Sequence, residues 1–169
     1  QVLPKVLDID NALWFHASAN VIVWLDSYIG RYVHNFYLYT DEFHGRMSAM
    51  PWDTNGVFGG YTDGQRSPTT LTPWYHETNV NRPLFSKVVQ VPKWRERYLS
   101  HIRTILEQEY RWDVIGPRIA ACQNLIRAEM QKDPHRLYTM QQFADGVTKE
   151  LTIRSGWFSS RIPGMKPFL

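Results

Sequence analysis

The sequence predicts an α+β fold, mainly helical in its second half and carrying one β-hairpin. Three observations predict it. Apolar residues recur at helical spacing over 11–25. A run of aromatic and apolar residues at 36–39 is followed by a turn and a return strand. From Pro92 onward, capping residues and apolar periodicity mark three more helices. At 169 residues, with 43% hydrophobic and 14% aromatic content, the chain is long enough to bury a core and too apolar to be disordered. It reads as a single domain over residues 1–169, with no internal repeat and no low-complexity segment.

The first helix is expected over Asn11 to about Leu25, with Asp10 as N-cap and Leu13, Trp14, Ala17, Val21, Trp24 and Leu25 on its apolar positions. It should run out near Asp26-Ser27-Tyr28-Ile29-Gly30. Phe36 to Tyr39 reads as a strand, Asp41 to Gly45 as a turn and Arg46 to Met50 as the return strand. Residues 54–83 hold seven Gly and Pro positions, Gly56, Gly59, Gly60, Gly64, Pro68, Pro73 and Pro83, without periodicity, which marks a functional or mobile segment. Pro92 opens the next helix, with Trp94, Tyr98, Ile102, Ile105 and Leu106 on its inner face. Asp113 is expected to cap the following one, whose stripe is Ile115, Ile119, Cys122, Ile126 and Met130, with Pro117 early enough to be tolerated. Thr139-Met140-Gln141-Gln142 is a capping box leading into Phe143, Val147 and Leu151. Ile119, Ile126, Phe143 and Val147 are expected in the core.

Composition narrows the function. Net charge is +3 with a pI near 9.0, a mild lean towards anionic partners and far from a nucleic-acid-binding charge density. The one cysteine, Cys122, reads as a small buried hydrophobe, so neither a disulfide framework nor a cysteine zinc site is expected. His16, His44, His76, His101 and His135 match no zinc spacing. Ser27 has no evident His partner for a hydrolase triad. No apolar run approaches membrane-spanning length, and no signal peptide is visible. The chain begins at Gln1 without Met and reads as a piece of a longer protein.

The hairpin ends raise a chemical question. With the turn centred near residue 44, Asn35 falls opposite Asp53, about 5 Å across the ribbon. An amide oxygen and a carboxylate at that separation can share a hard cation, and Mg²⁺ favours one or two carboxylates plus phosphate oxygens and water. Asp26 lies just upstream and its linker permits it to join them. Acid, amide, acid in that order is the polar set of a phosphoryl-transfer site. The competing reading is that Asn35 and Asp53 are turn formers bonded to nearby backbone. His34 reads as a strand-end residue that either orients the loop or is structural. Gly56, Gly59 and Gly60 suit close approach of backbone to a phosphate and suit a plain turn equally. Arg66, Arg82 and Lys87 flank the long loop; they suit contact with an anionic substrate and read first as solvated surface.

At these residues the chain resembles the CotH kinase family, the spore-coat protein H-like atypical protein kinases. The carrying stretches are "NALWFHASANVIVWLDSY" (11–28), "HNFYLY" (34–39) and "PWDTNGVFGG" (51–60), with further support from "RPLFSKVVQVPKWRERYLSHI" (82–102) and "IPGMKPF" (162–168). The resemblance implies a kinase-like carboxy-terminal lobe whose hairpin carries the catalytic and metal-binding loops. It implies that Asp26 is the catalytic-loop acid, that Asn35 and Asp53 hold Mg²⁺ or Mn²⁺ on ATP, and that Asn55 is a further cofactor-binding position, although many relatives carry Asp there. The gap between Asp26 and Asn35 is nine, wider than the five of ordinary protein kinases. No Gly-rich loop and no phosphate-pairing Lys precede Asp26, so the chain is expected to be the catalytic lobe without its amino-terminal partner lobe, or a degenerate relative, and to bind nucleotide poorly by itself. The implied reaction is transfer of the ATP γ-phosphoryl group to a protein Ser or Thr. The implied setting is extracytoplasmic, with spore-coat or cell-surface proteins as partners. A non-catalytic interaction or coat-assembly module, and a metal-assisted hydrolase, are the alternative readings.

Overall fold

Helix α2, Ile9–Val21, is apolar on nearly every side, and a helix of that kind must be covered on several faces at once. In the computed structural model, which describes residues 2–62, 68–155 and 158–169, it is covered. Ala12, Leu13, Phe15, His16, Ala17, Ala19 and Asn20 are buried, and α2 packs on α4 (Pro92–Thr104), on strand β2 (Met47–Pro51) and on the short helix α3 (Pro83–Ser86). These elements, with the one-turn helix α1 (Leu3–Val6) and strand β1 (Phe36–Thr40), belong to a first unit, Gln1–Ile105. Its core is Leu13, Trp24, Leu25, Phe85, Val88, Val89 and Tyr98.

Helix α2 differs from the sequence expectation at both ends. Asp8, not Asp10, is the N-cap, accepting from Asn11 N at 3.1 Å. Asp10 sits in the first turn and instead binds Arg97 Nε (2.6 Å) and His101 Nε2 (2.8 Å) of α4, with Trp14 stacked on the His101 ring at 3.9 Å. Burial works to raise the Asp10 pKa, but the His101 and Arg97 hydrogen bonds outweigh it and the net shift is downward. At the other end the helix stops at Val21, because Val23 turns into the left-handed region at φ 50°. Trp24 and Leu25 keep the apolar period but are buried beyond the helix, not on it.

The hairpin is anchored on α2 from one side. Asn11 Oδ1 accepts from Ala49 N (2.7 Å), Asp8 N donates to Met47 O (2.8 Å), and Phe36 meets Phe15 at 6.1 Å between ring centroids. The long segment before α3 is tied down as well. Asn20 Nδ2 donates to Thr72 O (2.9 Å), Tyr98 OH donates to Pro73 O (2.8 Å), and Arg95 lies 3.5 Å over Trp74 while pairing with Glu77. Gly64 and Arg66 lie outside the described residues. Arg82 is buried, not solvated; Lys87 is exposed as expected. On α4, Trp94, Tyr98 and Ile102 are buried as expected; Leu106, expected on the same face, lies past the end of the helix and is exposed.

The second unit, Leu106–Leu169, holds α5 (Trp112–Lys132), α6 (Met140–Asp145), the antiparallel pair β3 (Leu151–Ser155) and β4 (Phe158–Ile162), and the terminal turn of helix α7 (Met165–Phe168). α5 begins one residue before Asp113, whose carboxylate pairs with Arg111 instead of capping the helix. The capping box at Thr139 forms in full: Gln142 N donates to Thr139 Oγ1 (3.1 Å) and Thr139 N donates to Gln142 Oε1 (2.9 Å). That helix ends at Asp145, and Leu151 enters a strand that the helical reading of this half did not anticipate. Cys122 and Ile126 are exposed, and Ile119, Phe143 and Val147 are only half-buried, so the expected core of this half is not sealed.

His16 gives the first unit a pH signature. It is buried among Phe15, Tyr28 and Phe85, and neither ring nitrogen has a hydrogen-bond partner among the described residues. Burial pushes its pKa down to about 3. The folded chain therefore binds the proton more weakly than the unfolded one. The stability that follows from the neutral ring is complete above pH 6.5 and is lost as pH falls from 6.5 towards 3. Urea unfolding should show the wild type losing up to about 1.4 kcal/mol per pH unit below 6.5, relative to His16→Leu. Parallel pH profiles for the two proteins would count against this.

Candidate active site

The chain leaves α2 through a coil that closes on itself. Ser27 Oγ donates to Trp24 O (2.5 Å), and Gly30 N donates to Ser27 O (3.1 Å). Gly30 packs so tightly on Leu25 that a Cβ there would stand 1.5 Å from the Leu25 carbonyl oxygen, so only glycine fits. Two residues at the start of α3, its N-cap Arg82 and Leu84, brace the coil from outside. Arg82 Nη2 donates to Gly30 O (2.5 Å), and Leu84 N donates to Tyr28 OH (2.9 Å). Asp26 is half-buried on this braced coil.

His34 and Asn35 converge on Asp26. His34 Nε2 lies 2.6 Å from Asp26 Oδ1. Asn35 Nδ2 donates to Asp26 O (2.8 Å) and to Asp26 Oδ2 (3.1 Å). The amide nitrogen of Asn35 is thus committed, and its oxygen is the part left to serve as an acceptor or ligand. Left-handed backbone carries this geometry: Val33 has φ 55°, Asn35 φ 56° and Asp53 φ 50°. Such conformations cost about 1–3 kcal/mol each in residues other than glycine, and they concentrate at functional sites.

Asp53 stands apart from that cluster. The hairpin pairs Phe36 with Pro51, and Trp52 N donates to Asn35 O at 3.0 Å. Asn35 therefore faces Trp52, and Asp53 is one residue beyond the expected register. The turn explains the slip. Asp41 N donates to Arg46 O (3.0 Å), which leaves a four-residue loop, 42–45, centred between residues 43 and 44. The Asp41 carboxylate holds that loop by accepting from Phe43 N and His44 N and by pairing with the His44 ring, and Gly45 closes it at φ 65°. Asp53 and Asn55 are both exposed, and no hydrogen bond joins Asp53 to Asp26 or Asn35. Among the described residues, no group of three or more His, Cys, Asp or Glu side chains is placed to hold a metal by itself. Gly56 and Gly59 adopt positive φ in a turn whose Phe58 N donates to Ile22 O (2.8 Å), capping the end of α2.

Two residues matter here that sequence reasoning undervalued. His34 contacts the acid directly, and the only sequence signal was its place beside Asn35. Arg82 is buried against the Tyr28 ring (5.9 Å) with no carboxylate partner among the described residues, and its bond to Gly30 O spans 52 residues, a contact that no local pattern encodes.

The Gly30 contact generates a test. Gly30→Ala should lower unfolding stability by at least about 3 kcal/mol in urea, because backbone itself must move. Gly45→Ala, where a Cβ meets open space but φ is 65°, should cost only about 1–2 kcal/mol. Equal losses in the two variants would mean that the coil is not locked as described.

Comparison with known proteins adds what geometry alone does not. The chain is 24% identical over 141 residues to "Inner spore coat protein H" of Bacillus subtilis (strain 168), an alignment covering 83% of this chain and 37% of that protein. The chain thus spans well under half the length of this curated relative. A family model described as CotH kinase protein matches residues 1–153. With the match covering nearly the whole chain and both sides of the Asp26 coil, the chain belongs to the CotH kinase family.

Proposed function

We propose that this chain is the catalytic, carboxy-terminal lobe of a CotH-type protein kinase, moving the γ-phosphoryl group of ATP to a protein Ser or Thr hydroxyl with a divalent metal. The observation that carries the reading is the commitment of Asn35 Nδ2 to Asp26. That bond fixes the acid relative to the amide and leaves the amide oxygen as the part of Asn35 able to act as a hard ligand. In this reading Asp26 orients the attacking hydroxyl and receives its proton. Asn35 and Asp53 would hold Mg²⁺ or Mn²⁺, and Asn55 would help at the nucleotide. The donor set fits such an ion: one exposed carboxylate and one amide oxygen leave room for phosphate oxygens and water, which Mg²⁺ prefers to a closed protein cage. When bound, the metal supplies charge neutralisation for the phosphate oxygens.

The setting follows the relative's name. A protein hydroxyl on a spore coat or cell surface is the substrate class we propose, and an extracytoplasmic location goes with it. No described helix is long and apolar enough to cross a membrane. A second reading, a non-catalytic coat-assembly module, is favoured by one observation: Asp53 is exposed and unconnected to Asp26 and Asn35.

The test is label transfer from γ-labelled ATP to casein, with Mg²⁺ or Mn²⁺, by the full natural protein that carries this chain. Asp26→Ala and Asp53→Ala should each lower the rate at least about 100-fold. Asn35→Ala should raise the metal concentration needed for half-maximal rate. Undiminished transfer in Asp53→Ala would remove the metal assignment. Absence of transfer in the wild type, with coat assembly intact in all three variants, would establish the second reading.

A further inference from the structure

We infer that His34 is the positioning residue of the Asp26 carboxylate. The inference rests on the reading of Asp26 as proton acceptor, and it assigns to His34 a role beyond strand-end packing. A carboxylate on a coil turns about its last torsion unless both oxygens are held. Asn35 does not hold it alone, since its shorter bond goes to the Asp26 backbone oxygen (2.8 Å) and its longer one to Oδ2 (3.1 Å). The tight contact on the carboxylate is His34 Nε2 on Oδ1, at 2.6 Å. The two donors grip opposite oxygens and define the plane of the group.

The backbone is bent to make this possible. In an extended segment, neighbouring side chains point to opposite faces. Here residues 34 and 35 reach the same carboxylate, and left-handed residues bracket the convergence, Val33 at φ 55° and Asn35 itself at φ 56°. A β-branched valine adopts that conformation only under constraint. The Tyr32 ring meets the His34 ring edge-on at 5.7 Å and limits its swing. Stability does not explain the arrangement. The His34 side chain is 46% exposed, and exposed pairs of this kind contribute little to folding. A strained segment that holds an exposed contact on a candidate catalytic acid serves orientation.

Two measurements test this. In the full natural protein, His34→Leu should lower kcat for transfer from γ-labelled ATP to casein about 10- to 100-fold. The KM for ATP should stay within about twofold, because a lost orientation acts on the chemical step and not on nucleotide binding. His34→Gln, which keeps an N–H donor, should recover most of the loss. In the 169-residue chain, long-range ¹H–¹⁵N spectra should show the His34 Nε2 resonance shifting on Asp26→Asn more than Nδ1 does. Wild-type kcat in His34→Leu, or an Nε2 resonance indifferent to Asp26→Asn, would overturn the inference. A wild type without transfer activity defeats the kinase reading instead, and the spectra then decide by themselves whether His34 holds Asp26.

Discussion

Burial of α2 on three sides is the constraint from which the first unit follows. A helix with Leu13, Phe15, His16, Ala17 and Ala19 all enclosed cannot lie on a surface, so α4, β2 and α3 must reach it from different directions. Enclosing a leucine- or phenylalanine-sized side chain contributes about 1.5–3 kcal/mol, which makes the helix the costliest element to expose. The chain that leaves such a helix has few routes. It turns at Val23, sinks Trp24 and Leu25 into the same core, and comes out at Asp26 on the rim. The position of the acid is therefore set by hydrophobic packing on either side of it in sequence.

The rim is finished by polar contacts with long sequence reach. Arg82 and Leu84 clamp the coil through Gly30 and Tyr28, and Asn11 and Asp8 clamp the hairpin through Ala49 and Met47. A hydrogen bond typically adds about 0.5–1.5 kcal/mol net, too little to build the fold but enough to choose one loop conformation among several. The left-handed residues Val33, Asn35 and Asp53 lie just outside the two ends of the hairpin strands, Phe36 and Pro51. Their strain is supported by the rigid elements around them.

What could be read from the chain divides along physical lines. Elements specified by local chemistry were legible: the helix after Pro92, the capping box at Thr139 and the strand pair flanking Asp41–Gly45. Features that depend on a single backbone torsion or a distant partner were not. Trp24 and Leu25 continue the apolar period of α2 past its true end, because periodicity reports burial and not helicity. An Asp41-capped loop of even length shifts the hairpin by one residue, and side-chain alternation turns that slip into a different neighbour for Asn35. Arg82 reads as surface from its composition and becomes interior only through Gly30, far away in sequence. In the second half, a stripe with helical spacing at Ile119, Cys122 and Ile126 fixes which face is apolar but not whether anything covers it.

The register slip bears on the proposed chemistry. Had Asn35 and Asp53 faced each other across the ribbon, the amide would have been free to hydrogen-bond the carboxylate, and a cation would have had to displace that bond. Instead, Asn35 spends its donor on Asp26 and Asp53 is exposed to solvent. A carboxylate already in water meets a hydrated Mg²⁺ without losing a protein partner, and an amide whose nitrogen is tied elsewhere presents only oxygen. The divided arrangement suits an ion that arrives with its phosphates and leaves with them better than a closed pair would. It also separates the groups in the chain: His34 and Asn35 contact Asp26 from within the loop, while Asp53, the residue proposed to hold the cation, stands on the next segment.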